Sequence, residues 1–258
     1  MRSFVGLLLS LHIAAAAAAA GPEPDLGRWR ETAIPAEPAA RSDWLLAANH
    51  SSDEWLVYTE GGALRARPTT SGKRVPRHAD GQPALLRAAQ AVIAVDDGWL
   101  AGFHRGEFGG GLYWYSADGS EKYRISDHAI VDLLRRDDGI YATEGVAHMF
   151  ASRGSLLRVF RDGGRWQAAT ALHLPFAPYA ATMLDDGGML VTLSDALVSI
   201  DRNLALRTIV ADAPWKQLYP NSSVLSADGD RLAIGMRSAV AMVDLPSGQL
   251  RLLVPPGE

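Results

Sequence analysis

The chain has 258 residues, a formal net charge of −4 at pH 7 and no cysteine. Without thiols it forms no disulfide, thiolate metal site, cysteine nucleophile or lipidated N-terminal cysteine. Lys and Arg number 25 against 29 Asp and Glu, and no basic stripe interrupts that balance, which excludes a nucleic-acid-binding surface.

The first 20 residues have the composition of an export signal. Arg2 is the only charge before a run from Phe4 to Ala20, and Ala18-Ala19-Ala20 before Gly21 fits a small-residue cleavage site. The run is shorter than the roughly 20 apolar residues that span a bilayer. The expectation is a periplasmic or secreted protein with no integral membrane segment after cleavage. Pro22, Pro24, Pro35 and Pro38 then mark residues 21–42 as a semi-rigid tether.

From residue 43 onward one pattern recurs: an apolar run, an acidic-Gly turn and a second apolar run. It reads AVIAV-DDG-WLAGF at 91–103, VDLLRR-DDG-IYAT at 131–143, AATML-DDGG-MLVT at 180–192 and SSVLSADGDRLAIG at 222–235. DWLLAANHSSDEWLVYT at 43–59 is a looser copy. The turn residues Gly98, Gly139, Gly187 and Gly229 stand 41, 48 and 42 residues apart. Repeats of roughly 40–50 residues holding several short strands are the signature of β-propeller blades. The expected fold is all-β, a propeller of five blades with four antiparallel strands each, at about 43–84, 85–128, 129–176, 177–214 and 215–258. Lys73, Arg74 and Arg77 are read as a solvated edge strand.

In the second repeat the strands are predicted at Ala91–Val95, Trp99–His104, Leu112–Ser116 and Glu121–Ser126. In the third, Ser155–Phe160 is followed by the turn Arg161-Asp162-Gly163-Gly164. In the fifth, Ala239–Asp244 and Gln249–Val254 flank Pro246-Ser247-Gly248. Trp99, Trp114 and Trp166 fall within strands and are assigned to packing between blades.

Because each blade zigzags, its loops divide between two faces. The loops after the second strand share one face with the links between blades and rim a single funnel. They hold Arg105, Glu107, Glu144, His148, Arg153 and Arg237, and the links add His128, Tyr179, Tyr219 and Asn221. Loops carried on a rigid scaffold are where binding residues concentrate. Glu144, Glu107 and His148 are the candidate acid–base groups, and Arg105 and Arg153 are candidate clamps for a carboxylate or phosphate. Arg105 with Glu107, and Glu144 with Arg153, also fit as ion pairs that stitch blades together. The proposed ligand set is Arg105, Glu107, Glu144, His148, Arg153, Tyr219, Asn221 and Arg237. No metal set and no cofactor is expected.

Arg105-Gly106-Glu107-Phe108-Gly109-Gly110-Gly111-Leu112-Tyr113-Trp114, with Leu218-Tyr219-Pro220-Asn221-Ser222 and Gly235-Met236-Arg237, resembles a family of exported bacterial β-propeller proteins of uncharacterised function. That resemblance implies the fold and no reaction. Tyr141-Ala142-Thr143-Glu144-Gly145 followed by Gly154-Ser155-Leu156-Leu157-Arg158 is similar to a segment of the five-bladed glutaminyl cyclases, and implies Glu144 as an acid–base residue. The cyclase segments Phe-Gly-Glu-Gly and Asn-Glu-Leu-Glu have no counterpart here. Six-bladed lactonases need a metal held by Glu, Asn and Asp, which five repeats do not fit.

The expected function is binding of a small ligand or an envelope protein at the funnel rim by a monomer, without turnover. One alternative is a hydrolase, lactonase or cyclase using Glu144 or Glu107. The other is a passive envelope scaffold.

Overall fold

The computed structural model describes residues 25–69, 76–149 and 151–256. The expected signal at 1–20, and Lys73 and Arg74, lie outside the described residues. The N-terminal part contributes a short strand Arg30–Thr32 (β1), a helix Pro38–His50 (α1) and a hairpin of Trp55–Glu60 (β2) and Ala63–Pro68 (β3). Four antiparallel meanders follow. The second repeat supplies Ala91–Val95, Gly98–His104, Gly110–Ser116 and Lys122–Ser126 (β4 to β7), and the third supplies Ile130–Arg136, Gly139–His148, Ala151–Asp162 and Arg165–Leu174 (β8 to β11). The fourth supplies Pro178–Met183, Met189–Leu193, Leu197–Ile200 and Leu206–Val210 (β12 to β15). The fifth supplies Ser222–Leu225, Arg231–Gly235, Val240–Asp244 and Leu250–Val254 (β16 to β19).

The first strand of each repeat lies beside the first strand of the next: β4 by β8, β8 by β12, β12 by β16, and β16 by β2. The sheets thus stack face to face about a common axis, in the manner of propeller blades. Burial follows from this stacking. A strand with a sheet on either side reads as a continuous apolar run rather than an alternating one. In β13, Met189, Val191 and Leu193 pack toward the third sheet, against Leu134, Tyr141 and Leu156. Leu190 turns the other way, into the cluster around Trp215, Leu232 and Ile234. Trp114 and Trp166 pack between the second and third sheets, as their place within strands predicts.

The acidic-Gly turns face away from the funnel and take arginines from the next sheet. Arg161 at the end of β10 pairs with Asp97 and, at 3.2 Å, with Asp96 in the β4–β5 turn. Arg202 in the β14–β15 turn pairs with Asp137 in the β8–β9 turn at 2.9 Å, while Arg136 donates to the Arg202 carbonyl at 2.8 Å.

The first repeat departs from the expected pattern. Residues 38–50 are helical, not a strand. Pro38 sits in the first turn, where its missing N–H costs nothing, and the Glu37 carboxylate accepts from the N–H groups of Ala39 and Ala40 at 2.8 and 3.1 Å. His50 ends this helix. Among the described residues the first sheet has two strands, not four. The stretch read as a tether also contributes structure, since Arg30, Glu31 and Thr32 pair with Val254, Leu253 and Leu252 of β19.

Arg77 does lie on a sheet edge with its side chain 44 % exposed, but it is bonded there to three strands. Its N–H donates to the Gln90 carbonyl at 2.9 Å and its carbonyl accepts from Val92 N–H at 2.8 Å, a parallel bridge along the free edge of β4. Its side chain crosses toward the next two sheets. Nε meets the Asp132 carboxylate of β8 at 3.1 Å, and an Nη donates to the Ala181 carbonyl of β12 at 2.7 Å. One arginine thereby ties three inner strands together.

Asp132 is 2 % exposed. Burial pushes its carboxyl up to about 6, against the pull of Arg77 and of the Leu133 N–H. The ordinary value is 3.8, so the native state holds an extra proton between about pH 4 and 6. The stability tied to that proton is fully present below pH 4 and is lost as pH rises through 6. A shift of about two units corresponds to roughly 3 kcal/mol. Urea denaturation of wild type and Asp132→Asn across pH 4 to 7 tests this. The wild-type stability is expected to fall relative to the variant by that order over the window. A constant difference between the two would contradict the assignment.

Candidate functional site

On the face opposite the acidic-Gly turns the sheets enclose a cavity of about 830 Å³, with residues from every repeat in its wall. The first repeat contributes Glu54. The second contributes Gln90 ahead of β4, then His104, Arg105 and Phe108 after β5. The third and fourth contribute Ala147 and Tyr179, and the fifth contributes Tyr219, Asn221 and Arg237.

A polar chain between the first and fifth repeats positions one side of the wall. Val57 N–H donates to Ser222 Oγ at 3.0 Å, and Ser222 Oγ–H donates to Asn221 Oδ1 at 2.7 Å. The Asn221 amide is thereby oriented, with Nδ2 donating to Glu54 Oε1 at 3.1 Å. Glu54 and Asn221 are each only 5 % exposed, so this bond is made in a poorly hydrated setting. Gly235 makes the approach possible: a Cβ there would lie 2.3 Å from the Trp55 carbonyl oxygen and 2.5 Å from Ser222 Oγ.

Arg237 is held from the helix side. Its Nη1 donates to the Asn49 carbonyl at 2.7 Å, and its guanidinium lies 4.7 Å from the centre of the Tyr219 ring. Tyr219 itself has φ 51° and follows the turn after Trp215. Trp215 is fully buried and donates Nε1–H to the Leu193 carbonyl at 2.9 Å, which anchors that link to the fourth sheet.

His104 is a neutral imidazole in a defined tautomer. Gly106 N–H donates to its Nδ1 at 3.1 Å, so the ring proton is on Nε2 and is donated to the Gly145 carbonyl at 2.8 Å. Arg105, next along, bonds through its backbone N–H to the Gly109 carbonyl. Among the described residues its guanidinium has no hydrogen-bonding or ionic partner.

Of the residues selected from sequence, Arg105, Tyr179, Tyr219, Asn221 and Arg237 line this cavity together. Glu107 and His148 meet each other on the outer rim at 2.8 Å, both about half exposed, beside the exposed Phe108. Arg153 is exposed on β10. The expected stitching pairs do not form: among the described residues neither Arg105 with Glu107 nor Glu144 with Arg153 comes within 4.0 Å.

Glu144 is buried within β9, opposite Ser155 of β10, rather than displayed on a loop. Gly145 and Gly154 lie beside it and allow close packing of the sheets. They pair across the strands, and a Cβ on either would fall 2.7 or 2.6 Å from Pro178 Cδ of the neighbouring sheet. The glycines are there for close sheet packing, so the strands run on to His148 and resume at Ala151. Sequence reasoning missed Glu54, Gln90 and His104. Glu54 and Gln90 immediately precede apolar runs, and that position ahead of an inner strand was the available signal.

No protein-family model matches this chain, and no curated protein matches it. Among solved structures it is similar to virginiamycin B lyase from Staphylococcus aureus, at 20 % identity and a TM-score of 0.43, covering 64 % of this chain and 55 % of the lyase. It is also similar to a gluconolactonase from Xanthomonas campestris, at 15 % identity and a TM-score of 0.41, with 74 % and 62 % covered. A third likeness is to PorZ, a surface component of the type-IX secretion system of Porphyromonas gingivalis, at 9 % identity and a TM-score of 0.43, with 76 % and 32 % covered. The chain spans about half the length of the lyase. Likenesses at this level leave the function to be argued from the site itself.

Gly235→Ala is expected to cost about 1–3 kcal/mol by overpacking, since the Trp55 carbonyl and the hydrogen-bonded Ser222 hydroxyl must give way. Chemical denaturation measures it. A loss below a few tenths of a kcal/mol would show that the close contact between β2 and β17 is not a constraint.

Proposed function

We propose that this chain is an exported, five-bladed β-propeller that binds a small ligand in the funnel-mouth cavity without turning it over. In this reading the two-stranded β2–β3 sheet takes the place of the first blade. The observation that carries the reading is the convergence of all five repeats on one concave, partly buried wall. The cavity volume falls in the range of roughly 300–1,000 Å³ common to small-molecule sites. Its side chains are the kinds that orient a ligand: guanidinium, buried carboxylate, amide and aromatic ring.

A second reading, hydrolysis or cyclisation, draws support from the Glu107–His148 contact, which pairs two groups able to exchange a proton. That pair stands on the rim, outside the cavity wall, so turnover requires a bound ligand to reach over to it.

The chain has no cysteine, so Phe108→Cys places a unique thiol at a position 83 % exposed. An environment-sensitive label there is expected to change emission when a ligand from a panel of sugars, sugar acids, amino acids and lactones enters. The same ligand is expected to raise the unfolding midpoint, stabilising by about 2.7 kcal/mol at a hundredfold excess over its dissociation constant. Ala147→Trp, which fills the cavity from the third repeat, is expected to abolish both signals. Binding that survives Ala147→Trp, or a panel that gives no signal in either assay, would overturn the funnel as the binding site.

A further inference from the structure

We infer that the funnel selects a monoanionic polyhydroxy carboxylate, of which a uronic acid is the test case. The inference rests on the binding reading above and adds the chemical class of the ligand. Two guanidiniums, from Arg105 and Arg237, share the cavity wall with one carboxylate, Glu54. Arg237 is bonded to the neutral Asn49, and Arg105 has no partner for its guanidinium among the described residues. Counted over these three groups the wall carries one uncompensated positive charge. A net charge of −1 on the ligand balances it. A zwitterion leaves it unbalanced, and a phosphate dianion overshoots it and meets Glu54.

The remaining groups specify the rest of the ligand. A guanidinium presents two parallel N–H donors that match a carboxylate. Glu54 accepts one hydrogen bond, from Asn221, at Oε1. A carboxylate has about four lone-pair sites, so Glu54 retains capacity for hydroxyl donors. His104 has both ring nitrogens engaged and brings no charge. Tyr179 and Tyr219, which also line the wall, bring rings for the apolar C–H face of a saturated ring. Carboxylate, hydroxyls and a C–H face are together the features of a sugar acid.

The test is titration of the labelled Phe108→Cys protein, in otherwise wild-type, Arg105→Gln and Ala147→Trp backgrounds. The probes are glucuronate, galacturonate, the parent neutral sugars, cyclohexanecarboxylate, glycine and glucose 6-phosphate. A uronate is expected to bind at least about tenfold more tightly than its neutral sugar, a hydrogen bond to a charged group being worth that factor or more. It is also expected to exceed cyclohexanecarboxylate. Arg105→Gln, which breaks no side-chain hydrogen bond or ion pair among the described residues, is expected to remove the preference for the uronate over the neutral sugar.

Equal binding of uronate and neutral sugar, or tighter binding of glycine or the phosphate, with sensitivity to Ala147→Trp retained, would overturn the ligand class while the funnel reading stands. A uronate preference indifferent to Arg105→Gln would also overturn it. Binding of any probe that Ala147→Trp leaves intact removes the funnel reading and this inference with it. If no probe binds up to millimolar concentration, the ligand class is rejected, and the wider panel alone decides the funnel reading.

Discussion

The contact of Arg77 with Asp132 sets the frame for everything around the axis. Its backbone is stitched to β4, its charge is spent on β8, and its remaining donor serves β12. A carboxylate as buried as Asp132 is costly to ionise without a cation and hydrogen bonds. The guanidinium therefore has to stay at the axis for the inner strands to keep their spacing. Because the funnel wall is built from residues just outside those strands, its geometry depends on that spacing.

The two ends of the stacked sheets use charge differently. At one end, arginines from the third and fourth sheets, Arg161 and Arg202, reach the acidic turns of the preceding sheet. These pairs are exposed, and exposed pairs contribute little energy each. Their charges are nonetheless satisfied locally. At the other end Arg105 has no such partner among the described residues, and Arg237 is bonded to a neutral asparagine. The end that holds these two guanidiniums is also the concave one, and the proposed ligand class follows from that combination.

The irregular first repeat shapes the site more than the regular ones do. Its helix supplies Asn49, which holds Arg237, and the residue before its first strand supplies Glu54, which Asn221 engages. The regular sheets provide stiffness, through clusters such as that around Leu190, Trp215 and Ile234. The departures from regularity bring polar groups to the rim.

Much of this protein was legible from sequence. The spacing of Gly98, Gly139, Gly187 and Gly229 located the repeats, and the strands of the second repeat fall within two residues of their predicted bounds. Local alternation and turn chemistry act over a few residues, so they can be read along the chain. The helix at 38–50 was missed because its hydrophobic periodicity is weak and a polar stretch after it imitated a hairpin turn. The burial of Glu144, the close sheet contact at Gly145 and Gly154, the passage of Arg77 across the axis and the meeting of Glu54 with Asn221 join residues far apart in sequence or on different sheets. Each depends on how closely neighbouring sheets approach, and that distance is a property of side-chain packing between sheets, which only the tertiary structure decides.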